Sequence, residues 1–147
     1  MDETLCEKNY VGALLLTTTG GVMVQHRDNI ESILWPDSLS TFGGGVEGDE
    51  TSDEALAREM KEELAMDIND YEYEFYKTFE QRKSTHPGAY ADVDCHIYLI
   101  YDVDPEQLTV LEGQGYKLLT KDTNFANIKA SPVMREIFTD YFMNIDK

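Results

Sequence analysis

The stretch Gly44-Gly45-Val46-Glu47-Gly48-Asp49-Glu50-Thr51-Ser52-Asp53-Glu54-Ala55-Leu56-Ala57-Arg58-Glu59-Met60-Lys61-Glu62-Glu63-Leu64-Ala65-Met66 carries more information than any other part of the chain. It reads as a glycine-rich turn running into a helix. Ser52 is the candidate N-cap, with Asp53 and Glu54 suited to the positive end of the helix dipole. Leu56, Met60 and Leu64 recur about once per turn and give the apolar stripe. Glu59, Glu62 and Glu63, at offsets of three and four, share one side of the same helix. Carboxylates so close repel one another, and Lys61 points away from them. A cluster of hard oxygens suits Mg²⁺ or Mn²⁺, and the preceding glycines let a backbone carbonyl approach such an ion unobstructed. Read alone, three neighbouring glutamates are more often a solvated helix face.

Outward from this segment the chain reads as one mixed α/β domain over residues 1–147. Upstream, Tyr10 to Thr17 is a buried strand, Gly20-Gly21 a turn, and Val22 to His26 the returning strand of a hairpin. Asp28 to Ser40 is a loop, and Gly43-Gly44-Gly45 breaks the chain sharply. Downstream, Tyr71 to Phe79 alternates as a half-buried strand does. Ala89 to Val103 is a long strand with Ala91, Val93, Cys95, Ile97 and Leu99 on one face and Asp92, Asp94, His96 and Tyr98 on the other. A short strand spans Tyr116 to Leu119, and a helix runs from Pro132 to about Met143.

Composition bounds the partners. The 147 residues include 29 acidic and 12 basic side chains, for a formal net charge of -17. Such a chain repels nucleic-acid polymers and anionic membrane surfaces, but a small phosphate compound remains compatible if cations screen the carboxylates. Cys6 and Cys95 form no CxxC pair, the N-terminus lacks signal-peptide character, and no apolar run is long enough to span a bilayer. A reduced, cytoplasmic setting is the simplest expectation.

The spacing within the opening stretch sharpens the reading. Five residues separate Gly44 from Glu50, and seven more lead to Arg58-Glu59-Met60-Lys61-Glu62-Glu63-Leu64-Ala65-Met66. This resembles the Nudix box, G-x5-E-x7-R-E-U-x-E-E-x-G-U, where U is apolar. The departure is Ala65 in place of the last glycine; that position ends the helix, and alanine is expected to shift the exit by a residue. The resemblance implies an α/β/α sandwich around a mixed sheet and a metal-dependent hydrolase that cuts a phosphoanhydride bond in a nucleoside triphosphate or nucleotide sugar. It assigns Glu59, Glu62 and Glu63, with the carbonyl of Gly44, to Mg²⁺ (or Mn²⁺), and Glu50 with Arg58 to a structural ion pair. Family members are often homodimers.

Outside the box, Glu112-Gly113-Gln114 resembles a late loop that supplies another carboxylate in nucleotide-sanitising members. Glu112 is thus a further candidate metal ligand or general base, alongside Glu62 and Glu63; a solvent-facing glutamate is the plainer reading. Arg27 is a candidate phosphate contact, Asp94 and His96 candidate cleft residues, and Trp35, Tyr90 and Tyr98 candidates for stacking on a base. Lys83 and His86 are candidates for a mobile lid. Motifs that mark ADP-ribose, dinucleoside polyphosphate and coenzyme A hydrolases are absent at their spacings. The alternative to a hydrolase is a Nudix-fold module that binds a nucleotide without cutting it. Such modules typically lose box carboxylates, whereas this chain keeps them all.

Overall fold

The central strand, β1 (Lys8–Thr17), is buried on both faces from Val11 to Leu15, so it reads as a run of apolar residues rather than an alternation. The structure, a computed structural model, describes residues 8–33 and 35–144; the N-terminal segment and Cys6 discussed above lie outside them. β1 turns through Gly20-Gly21 into β2 (Val22–His26), and β6 (Val93–Val103) lies parallel to it with Lys8 opposite Val93 and Leu15 opposite Ile100. β5 (Tyr73–Gln81) pairs antiparallel with β6, β3 (Leu39–Ser40) with β2, β4 (Phe42–Gly45) with β1, and β7 (Gly115–Leu119) with β2. The result is a seven-stranded mixed sheet.

A helix covers each face. Helix α1 (Ser52–Leu64) lays Leu56, Met60 and Leu64, all fully buried, on Val11, Ala13, Leu15, Phe42 and Ile100. Each such side chain contributes about 1.5–3 kcal/mol by leaving water. On the other face, α2 (Pro132–Asn144) sets Val133, Ile137 and Phe138 on Leu14, Val24, Cys95 and Ile97. This is the α/β/α sandwich expected from the sequence. Among the described residues no helix is long and apolar enough to cross a membrane.

Several expectations change at the level of elements. The triple glycine is a strand, not a break: Gly43, Gly44 and Gly45 of β4 pair with Gly12, Val11 and Tyr10 of β1. The N-cap of α1 is Thr51, not Ser52. Thr51 Oγ1 accepts from the Glu54 N–H (3.1 Å) while Glu54 Oε1 accepts from the Thr51 N–H (2.9 Å), a capping box that only Thr51 can start, because the residue three beyond Ser52 is Ala55. Ala65 does not shift the helix exit. It takes the left-handed conformation itself, with φ 52° and ψ 33°, and lets the Met66 N–H reach back to the Met60 carbonyl (3.2 Å). β5 begins two residues later than expected, after a 3-10 turn at Ile68–Asp70, and β6 begins at Val93.

Candidate active site

The carboxylates of α1 stand in two settings. Arg58 gathers the first. Its Nε donates to Glu50 Oε2 (2.7 Å) and its Nη2 to Glu50 Oε1 (3.0 Å) and the Gly45 carbonyl (2.9 Å). Its Nη1 donates to Glu59 Oε2 (2.8 Å) and Glu62 Oε1 (3.3 Å). One planar fork thus ties the loop after β4 to the helix and relieves the repulsion between glutamates, a role for which Lys61 is turned the wrong way. The guanidinium's hydrogen bonds hold the Glu50 carboxyl below the usual range. For Glu59, burial outweighs the same guanidinium and raises the carboxyl. Glu62 points outward, with 54% of its side chain exposed.

Glu63, one turn beyond Glu59, forms the second setting. It is 3% exposed, and its Oε1 is buried without a hydrogen-bond partner. Burial first, then Glu112 beside it, pushes its carboxyl up to about 9. Leaving a carboxylate so placed is costly unless a proton or a cation joins it. Glu112 is held there by backbone bonds on either side: Leu111 N–H donates to the Glu63 carbonyl (2.8 Å) and Gln114 N–H to the His26 carbonyl (2.7 Å). Gly113 between them has φ +83°, and a Cβ there would lie 2.5 Å from the His26 carbonyl oxygen, so only glycine makes this bend. Gly44 is constrained differently. A Cβ on it would come within 2.5 Å of the Glu59 carboxylate, which therefore sits against bare backbone.

Glu63 and Glu112 line a cavity of about 520 Å³, together with Tyr10, Gln25, Arg27 and Gly43. A second cavity of about 350 Å³, more apolar, includes Lys8, Trp35, Gln81, Tyr90 and Cys95. Tyr10, Arg27, Ser40 and Met134 line both, so the two are neighbours with Arg27 at their junction. Trp35 and Tyr90 come from different loops: Trp35 packs over Gly88, where a Cβ would meet its ring at 3.0 Å, and the Lys8 ammonium lies 4.9 Å above the Tyr90 ring.

Other sequence candidates fall elsewhere. Asp94 and His96 line neither cavity; strand alternation sends Val93 and Cys95 into the second cavity and these two to the opposite face. There Asp94 accepts from Arg82 Nη2 (2.8 Å), and His96 bonds Thr78 (2.9 Å) and Asn9 (2.9 Å). Tyr98 cannot stack on a ligand. It is buried under α1, its hydroxyl donating to Asp53 (2.6 Å). The loop bearing Lys83 and His86 is tied down, with His86 Nδ1 accepting from the Arg82 N–H (3.0 Å) and its Nε2 lying 3.5 Å from Glu136 of α2. Lys8 and Tyr10 of β1 and Gln81 of β5 also line these cavities, without having been candidates from the sequence. No motif marks them: each lies in or at the end of a strand, where alternation shows which residues share a face but not which face opens on a cavity.

The donor set suits a divalent cation. Glu59, Glu63 and Glu112 offer hard oxygens, and the orphaned Oε1 of Glu63 lacks the partner such an ion would be. Among the described residues no three ligating side chains already form a metal cage, and Arg58 stands between Glu59 and Glu62 instead. A cation held by those two would take over the bonds of Arg58 Nη1.

Comparison with known proteins places this geometry. No curated protein matches the sequence significantly. The MutT protein of Methanosarcina mazei Go1 superposes with a TM-score of 0.74 at 18% identity, covering 95% of this chain and 95% of its own. The dihydroneopterin triphosphate pyrophosphohydrolase of E. coli superposes with a TM-score of 0.68 at 20% identity, covering 95% and 99%. A Deinococcus radiodurans protein gives 0.70 at 22%, covering 90% and 82%. These likenesses establish the fold. The sequence profile of the NUDIX domain matches residues 8–140, nearly the whole chain. A mixed sheet between two helices, with the box helix presenting glutamates to a cleft, therefore belongs to a member of the Nudix hydrolase family.

Proposed function

We propose that the protein hydrolyses a phosphoanhydride bond in a nucleoside-diphosphate-linked compound, a nucleoside triphosphate or a nucleotide sugar, with Mg²⁺ or Mn²⁺ as cofactor. The observation that carries this reading is Glu63: a buried carboxylate with an unpartnered oxygen, beside Glu112, in the wall of a cavity large enough for a phosphate chain. Glu59, Glu63 and Glu112 would hold the cation, with Glu62 joining on release from Arg58. Bound there, the ion would neutralise phosphate charge and make water a better nucleophile.

The remaining steps belong to side chains of this chain. Arg27, at the junction of the cavities, orients the phosphates, and Trp35 and Tyr90 flank the space for the remainder of the substrate. Glu63 or Glu112, neighbouring carboxylates in the cavity wall, accepts the proton of the attacking water. Its E. coli structural relative is named for a heterocycle triphosphate, and a substrate of that shape suits a polar cavity joined to a more apolar one.

The test is phosphate or pyrophosphate release from a panel of nucleoside triphosphates, sugar nucleotides and dinucleotides, with Mg²⁺ or Mn²⁺, for wild type, Glu62→Gln and Glu63→Gln. Metal-dependent turnover that collapses in Glu63→Gln establishes the reading. Tight nucleotide binding without turnover on any compound replaces it with a binding module.

A further inference from the structure

The loop that carries Glu112 is fastened by more than its backbone. Gln114 Nε2 donates to Asp37 Oδ1 (2.8 Å) and to the Arg27 carbonyl (2.7 Å), which uses both of its hydrogens. His26 Nε2 lies 2.8 Å from the same Asp37 oxygen. A carboxylate only accepts, so the histidine carries its proton on Nε2, and the 3.3 Å approach of Gln114 Nε2 to that nitrogen is a contact rather than a bond. The Lys129 ammonium, 3.6 Å from Asp37 Oδ2, completes the surroundings. Asp37 itself adopts φ +57°, a region that aspartate and asparagine tolerate and most residues do not. Its N–H donates to the Asp28 carbonyl (2.8 Å), closing the loop that leaves Arg27.

Two loops that border the cleft thereby meet at one carboxylate. On one side are Arg27 and Trp35; on the other, two residues from Gln114, is Glu112. We infer that Asp37 and Gln114 are positioning residues, a latch joining the 27–38 loop to the 111–114 loop so that Glu112 is held beside Glu63 and Arg27 beside both. This rests on the hydrolase reading for its consequence in turnover but not for its consequence in metal binding. The link spans 77 residues of sequence, and neither partner touches the substrate cavities. Supporting groups of this kind alter metal affinity or activity by roughly 10–100-fold when removed.

The experiment uses Gln114→Glu, nearly isosteric but turning two donated hydrogen bonds into two repulsive oxygen contacts, with Asp37→Ala and Asp37→Asn beside it. Asparagine keeps both the acceptor oxygen and the tolerance of positive φ. Mn²⁺ binding is read directly by electron paramagnetic resonance on the nucleotide-free protein, and kcat, KM and the half-activating Mn²⁺ concentration are read on whichever nucleotide the wild type hydrolyses. Gln114→Glu and Asp37→Ala should weaken Mn²⁺ binding and lower kcat about 10-fold or more with KM little changed, while Asp37→Asn stays within about 3-fold of wild type. Unchanged Mn²⁺ affinity and kcat in Gln114→Glu overturn the latch and leave the hydrolase reading standing. A wild type that binds Mn²⁺ but hydrolyses nothing sinks that reading, and the Mn²⁺ shift in the variants still supports the latch. Absence of Mn²⁺ binding in the wild type overturns both.

Discussion

Helix α1 carries glutamates of opposite fate one turn apart. Around Arg58, the carboxylates of Glu50, Glu59 and Glu62 all receive a donated hydrogen from the same guanidinium, and the negative charge is answered within the chain. At Glu63 the described residues supply burial, a second carboxylate and a backbone hydrogen bond from Gly43, and leave Oε1 without a partner. The contrast separates two uses of acidic residues in a single motif. Glu50, whose counter-charge is built in, holds the loop to the helix, whereas Glu63 is the carboxylate that the proposed cation would answer.

The sharpest way to break this comparison is Glu63→Gln. We expect turnover to fall about a thousand-fold. We also expect the metal-free protein to become more stable at pH 8, on the order of a few kcal/mol, because an amide needs no proton whereas the buried acid must retain one that the unfolded chain has released. The sign follows from the shift. Folded Glu63 titrates at about 9 against 4.5 for an unperturbed carboxyl, so its stability contribution is full below pH 4.5 and is lost as pH rises toward 9. The slope is at most about 1.4 kcal/mol per pH unit. Urea unfolding between pH 6 and 9 should show that slope in wild type and a flatter one in the variant; equal slopes would remove Glu63 from its special place.

Arg58→Ala addresses the other setting. Leaving the buried Glu59 carboxylate without its partner should cost about 1–3 kcal/mol, part of which saturating Mg²⁺ restores by answering Glu59 and Glu62. A loss below about 0.5 kcal/mol, the range of ordinary surface substitutions, would mean that the guanidinium is ornamental. For the wild type, Mg²⁺ at about 100 times its dissociation constant should stabilise by about 2.7 kcal/mol. The affinity behind this gain should rise from pH 6 to pH 8, since Glu63 must release its proton to bind. Titration calorimetry giving the same affinity at both values would contradict this. The smallest effect is at the helix end. Ala65→Gly removes the left-handed strain and should stabilise by about 1 kcal/mol, roughly 3 °C in Tm, with turnover unmoved.

Helix α1 was legible in the sequence because its signals are local: periodic Leu56, Met60 and Leu64, and acidic residues in its first turn. Its cap was misplaced by one residue, although the Thr51–Glu54 pairing stood in plain view. Gly43 to Gly45 hid their strand because glycine has no side chain to declare one, and the pairing partner lies far back in β1. On β6 the alternation revealed which residues share a face, but not which face opens on a cavity. Polarity pointed to Asp94 and His96, whereas the cavity takes Val93 and Cys95. The reach of Arg58 to the Gly45 carbonyl, and the meeting of Asp37 with Gln114, are products of three-dimensional closure that no spacing rule expresses.

The parallel pairing of β1 with β6 has a consequence for the order of events during synthesis. The acidic helix leaves the ribosome well before the strand that completes the sheet under it, and Glu112 emerges later still. Pairing between such distant segments is slow compared with the winding of a helix. A nascent chain therefore displays its box glutamates long before it has a cleft. The cavity wall is complete only late, after β7 takes its place beside β2 with Glu112 next to it and α2 adds Met134.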